Sequence, residues 1–190
     1  MKFPPFIWIV VFMLYRISMV SAQTTSVYYD ERDGQTYRTI TVGLYEWMAQ
    51  NLNFETDSGS WCYDESNLHC MHFGRFYNYE TAQQACMPGW KLPEREDWDT
   101  LFSTLSLRDQ LYLTLLKDGA NDLKILLAGW HGEYGGSYLM GEQARFWTST
   151  SKTQLNAWYI GIFKSTQSVR IDYDSKGLGL SVRCTRKRQE

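Results

Sequence analysis

Along the chain, the first apolar–polar alternation falls at Val27–Tyr29 and Tyr37–Val42, where Thr39 and Thr41 alternate with Ile40 and Val42. Period-two alternation on either side of the turn pair Asp33-Gly34 predicts two strands. A further apolar stretch, Trp47-Met48-Ala49, leads into a polar loop over Asn51–Ser60. Arg75–Ala85 places Phe76, Tyr79 and Ala82 or Gln83 on one side of a helix that Pro88-Gly89 ends. The clearest helix is Glu94–Leu105, opened by Pro93, with Trp98, Leu101, Phe102 and Leu105 at i, i+3, i+4 and i+7. Glu94, Glu96 and Asp97 crowd its first turn, where the helix dipole favours negative charge, so dipole complementation accounts for them better than a catalytic carboxylate pair does. A second, shorter helix is expected over Leu107–Lys117, ended by Asp118-Gly119.

From Leu126 onward the pattern changes to short strands separated by Gly, Ser and Asn. Ala157–Phe163 and Ser168–Tyr173 read as a hairpin, with Trp158, Ile160 and Ile162 on one face of the first strand and Val169, Ile171 and Tyr173 on one face of the second. Leu178–Cys184 reads as the last strand and Thr185–Glu190 as a frayed, charged tail. No internal repeat or interdomain linker is visible. Strands, then helices, then strands is an α+β order.

The N-terminus departs from this pattern. Met1–Ala22 has a positive start at Lys2, an apolar run over Phe6–Tyr15 and a small-residue end at Val20-Ser21-Ala22, the architecture of a secretory signal peptide cleaved after Ala22. The run is about half the ~20 residues a membrane span needs, and Arg16 interrupts it. The remainder, 23–190, fits a single domain, with no stable membrane span once the signal is removed. Composition adds little: 44% hydrophobic and 21% charged residues exclude a disordered chain, and 16% aromatic residues is a surplus. The formal charge of −2, which becomes −4 without Lys2 and Arg16, gives no support for nucleic-acid binding.

Export changes how the four cysteines, Cys62, Cys70, Cys86 and Cys184, are read. An even number in an oxidising compartment points to disulfides, and four allow three pairings. Cys62 and Cys70 bracket a short polar loop and could close it locally, leaving Cys86 for Cys184. His69 and His72 beside Cys70 invite a zinc reading, but no second Cys-x-x-Cys half exists.

Seven collinear stretches then carry a family resemblance: Asp33–Asn53, Trp61–Ala82, Cys86–Leu101, Leu126–Trp130, Phe146–Ser151, Ala157–Ile162 and Gly179–Cys184. Across about Val27 to Arg186 the chain resembles the Fibrobacter succinogenes major paralogous domain family, especially members with an extra small Cys loop, here Cys62–Cys70. The resemblance implies a C-type lectin-like α+β fold, with two main helices flanking a small twisted antiparallel sheet, and a disulfide between Cys86 and Cys184. It also implies an exported bacterial protein, frequently cell-surface associated.

Function follows less directly. The main expectation is a recognition module of the envelope or extracellular space for carbohydrate or protein, because Trp and Tyr offer a stacking face with a polar handle. Trp47, Trp90, Trp98, Trp147 and Trp158 sit at core-like spacing. The candidate ligand residues are therefore Trp130, His131, Tyr134 and Tyr138 in the Gly-rich stretch 129–138, with Tyr159 and Arg170 on outward strand faces and Lys164–Gln167 beside them. Calcium-dependent sugar binding is disfavoured, since Glu-Pro-Asn, Gln-Pro-Asp and Trp-Asn-Asp motifs are missing and Asn121-Asp122 reads as a turn. No metal and no cofactor are expected. An enzyme is disfavoured too: the formylglycine-generating enzymes, related in fold, need reactive cysteines, and a hydrolase of His131, Glu133 and Ser137 lacks an oriented base. A structural role within a surface complex is the alternative.

Overall fold

The computed structural model describes residues 24–105, 110–116 and 122–188. The expected signal peptide, parts of the Leu107–Lys117 helix and Asn121 lie outside the described residues. The expected hairpin is present at the start: β1 (Thr25–Tyr29) pairs antiparallel with β2 (Thr36–Val42). Its turn is fixed by the buried Asp30 carboxylate, which accepts from the Arg32 backbone N–H and guanidinium and forms a 2.8 Å ion pair with it. A tight turn at Gly43, where φ is +59°, leads into β3 (Tyr45–Met48). The polar loop follows, then β4 (Ser60–Trp61), a single 3-10 turn at Tyr63–Glu65, α1 (Asn67–Phe73), β5 (Phe76–Tyr77) and α2 (Tyr79–Ala85).

The one helix expected over Arg75–Ala85 is thus a short strand and a shorter helix. Asn78 divides them: its side chain accepts from Thr81 N at 2.9 Å, so it caps α2 and starts it only at Tyr79. The amphipathic helix is where its periodicity put it, as α3 (Arg95–Leu105), with Trp98 and Leu101 buried. Its first turn is organised by Asp97, whose carboxylate accepts from Glu94 N and pairs with Lys91 at 2.8 Å. Of the next expected helix, the described part is α4 (Leu111–Leu115).

The rest is β structure. A two-stranded hairpin, β6 (Trp130–His131) and β7 (Ser137–Tyr138), precedes three long strands, β8 (Gln143–Ser151), β9 (Asn156–Phe163) and β10 (Ser168–Ser175). The single closing strand expected over Leu178–Cys184 is two: β11 (Leu180–Ser181) and, inside the supposed frayed tail, β12 (Thr185–Lys187). One sheet has the order β1-β2-β3-β12; the other runs β10-β9-β8-β11-β5-β4 and is antiparallel except for β8 beside β11.

This architecture corrects the expected fold class. Among the described residues the protein is mostly β, with twelve strands in three sheets and helices of 5 to 11 residues. It is not a pair of main helices flanking a small sheet. The α+β reading underestimated the sheet because β8 to β10 are each 8 or 9 residues long, and because charged residues after Cys184 continue as a paired strand. Arg186 sits opposite Glu46 and binds its carboxylate at 2.7 Å, which makes a charged strand comfortable there.

The six-stranded sheet is packed on both faces. Phe146, Ile160 and Ile162 meet α3 through Trp98, which also touches Trp47. Trp147, Ala157 and Tyr159 meet α2 through Tyr79 and Ala82. Both cysteine pairs are bonded, Cys62–Cys70 and Cys86–Cys184. In the chain-entropy picture, closing a span of 98 residues contributes nearly 5 kcal/mol and one of 8 about 2.5 kcal/mol.

Candidate functional site

The Gly-rich stretch is a rigid hairpin because it is tied on three sides. His131 and Gly179 exchange backbone hydrogen bonds at 2.8 and 2.9 Å, and Gly129 N donates to Gln143 O at 2.7 Å. Gly129 has φ +80° and lies so close to Tyr138 O that a side chain would collide with it. From the third side, Asp64 N in the small disulfide loop donates to Ser137 Oγ at 3.0 Å. The tip turns through Gly135 and Gly136, both at positive φ.

On this frame Trp130 stacks on Tyr138, with ring centroids 4.7 Å apart. Beneath Trp130 lies the Arg145 guanidinium, 4.7 Å from that ring and 5.3 Å from the Tyr159 ring, with Asp174 3.3 Å away as its counter-charge. The guanidinium spreads its charge over both rings, so the layers Tyr138, Trp130, Arg145 and Tyr159 run from surface to core. Tyr138 is 45% exposed and Tyr134, at the tip, 98%.

The candidate residues therefore divide. Trp130 and Tyr138 meet directly, and Tyr159 joins them through Arg145. Tyr159 is not on an outward face as expected: it is 4% exposed, because α2 and the hairpin cover a sheet face that a one-sided sheet would leave open. Its phenol is pushed above the ordinary value near 10, first by burial. His131 turns away from the stack. It is buried flat against Trp61 (4.8 Å, 12° between planes), and this burial lowers its pKa from 6.5. Arg170 is exposed but separate, two strands from Arg145 in one cross-strand row and bonded to Ser168 and Thr166. Lys164–Gln167 form the exposed turn beside it.

His131 Nδ1 lies 3.5 Å from Ser137 Oγ, yet Glu133 is engaged elsewhere, accepting from Ser175 Oγ at 2.7 Å in the space Gly177 leaves open. Among the described residues no three His, Cys, Asp or Glu side chains gather as metal ligands, and no helix is long and apolar enough to cross a membrane. Arg145, Trp61 and Asp64 escaped sequence reasoning. Arg145 alone had a signal, since it precedes Trp147 by two and so shares its face.

No curated protein and no solved structure matches the chain. A family model does, over residues 28–186, which span the hairpin, both sheets and both disulfides. The chain belongs to the Fibrobacter succinogenes major domain family.

Proposed function

We propose that this domain is an exported recognition module of the cell envelope or extracellular space, without enzymatic activity, that takes a carbohydrate on the aromatic hairpin. The observation that carries the reading is Tyr134, almost wholly exposed on a braced glycine turn beside the Trp130–Tyr138 stack. A large aromatic side chain held in water on a rigid support is a flat apolar face for a pyranose ring, and nearby hydroxyl and carboxylate groups suit its hydroxyls. Arg170, exposed on the same sheet face as Arg145, can meet a longer ligand. The signal-like Met1–Ala22 and the two disulfides support export. An intact mass beginning at Gln23 is the expected result for exported protein; retention of Met1 would count against it.

A glycan array followed by calorimetry tests the site. Tyr134→Ala is expected to weaken the best glycan about tenfold, the equivalent of ~1.4 kcal/mol, without moving the melting temperature. Undiminished binding by both Tyr134→Ala and Tyr138→Ala would reject the hairpin as the site. A second reading, assembly into a larger surface structure, is favoured by β10, whose outer edge pairs with no described strand. Concentration-dependent association of purified protein, abolished by a proline in β10, would favour it.

A further inference from the structure

A second concave site lies away from the hairpin stack. Residues of β2, the C-terminal end of α1 and the segment before β12 enclose a cleft of about 410 Å³, within the usual range for small-ligand sites. Its lining carries three cationic side chains, Arg38, Lys124 and Arg183, and no Asp or Glu.

Arg183 is the unusual member. It is 1% exposed, and its guanidinium is held by neutral acceptors: Asn51 Oδ1 at 2.9 Å, Leu123 O at 2.6 Å and Met48 O at 3.4 Å. None of the described residues accepts from its Nη2, and no described carboxylate lies within 4 Å. The other well-covered cations are answered: Arg32 by Asp30, Arg75 by Glu55, Arg145 by Asp174. A buried charge without a counter-charge is costly. Burial, and then the neighbouring Arg38, bring Arg183 down to about 9, so it remains a cation at neutral pH. Arg38 is exposed and makes no ion pair with a described residue, and Lys124 has only an exposed contact with Asp122 at 3.6 Å. Positive charge thus converges on the cleft from its base and its rim, and among the described residues only the exposed Lys124–Asp122 contact answers any of it.

We propose that this cleft binds an anionic group, the carboxylate or sulfate of an acidic saccharide, with Arg183 at its base and Arg38 and Lys124 at its rim. Guanidinium groups match such planar or tetrahedral oxyanions. The flanking amides of Gln35, Gln50 and Asn53 offer partners for ring hydroxyls, and Phe73 an apolar wall. This site is independent of the hairpin reading.

The test is calorimetry on the purified protein with a galacturonate trimer, a neutral maltotriose and inorganic sulfate, repeated with Arg38→Gln at an exposed position and Lys124→Gln at a half-buried one, substitutions whose unchanged melting temperature shows that the fold is intact. The trimer should bind, lose about tenfold in affinity with each substitution, and weaken as salt is raised. Tyr134→Ala should leave this binding unchanged, which separates the result from the fate of the hairpin. Sulfate binding as tightly as the trimer would uphold the anion site and overturn its saccharide ligand. No binding of either anion, or binding indifferent to both substitutions, would overturn the site.

Discussion

The two faces of the six-stranded sheet are built from different chemistry. The face toward α3 is nearly all hydrocarbon, with Phe146, Ile160 and Ile162 under Trp98 and Leu101. The face toward α2 is aromatic with polar handles. Trp147 donates to Tyr77 O at 2.8 Å, Tyr77 to Phe54 O and Tyr79 to Ser149 O at 2.7 Å each, and the Tyr37 hydroxyl accepts from Asn53 N. The first face is held mainly by area, which is non-directional, with a directional bond from Arg95 N to Thr150 Oγ1 at 3.2 Å where α3 begins. The second is held also by directional bonds that fix the loops above it in place, and this is the face on which the hairpin stack rests.

That contrast can be broken in steps. Losing the Cys86–Cys184 link, as Cys86→Ala with Cys184→Ala, should destabilise most, by up to about 5 kcal/mol, because it ties the tyrosine-rich layer to the chain's closing segment. Denaturant titration would check it. Trp98→Ala should cost about 3–5 kcal/mol through the cavity it leaves on the hydrocarbon face, with the hairpin undisturbed in the near-ultraviolet signal of its aromatics.

Alkali should discriminate the faces. Burial raises the phenols of Tyr37, to about 12, and of Tyr77, Tyr79 and Tyr159, all in the tyrosine-rich layer. In the unfolded chain they ionise near 10, so their contribution is full below that pH and is lost as pH rises through the folded values. Melting temperature should fall between about pH 10 and 12, and fall less in Tyr37→Phe; an equal fall in both would contradict the assignment. The smallest effect is Tyr79→Phe, which removes one hydrogen bond at a cost of about 1 kcal/mol.

The hydrocarbon face was legible in the sequence and the other was not. Trp98 and Leu101 announce themselves at helical spacing, and Ile160 and Ile162 at strand spacing, so the shared side of each element could be read directly, though not that the two sides meet. Tyr159 obeys the same alternation but points the other way, and alternation cannot say that a second layer covers that side. The break at Asn78 is a capping event, invisible beside the apolar period of the residues around it. Thr185–Lys187 looks like a tail because its residues are charged, and only the opposing Glu46 explains why it pairs. Trp130 and Tyr138 were readable as aromatics among glycines. Arg183 was not: nothing in Gly179–Cys184 signals that its one cation enters the interior.

The stretch Leu180–Lys187 has a consequence for timing. β11 is inserted between β8 and β5 in one sheet, Cys184 closes the long disulfide, and β12 completes the other sheet against β3. Each of these pairings joins residues far apart in sequence, so their formation is slow and late. The six-stranded sheet cannot be finished until residue 181 has emerged from the ribosome, nor the four-stranded sheet until residue 187 has. Until then β1–β3 and β8–β10 are separate, incomplete pieces, and the chain stays open along its length for as long as it is being synthesised.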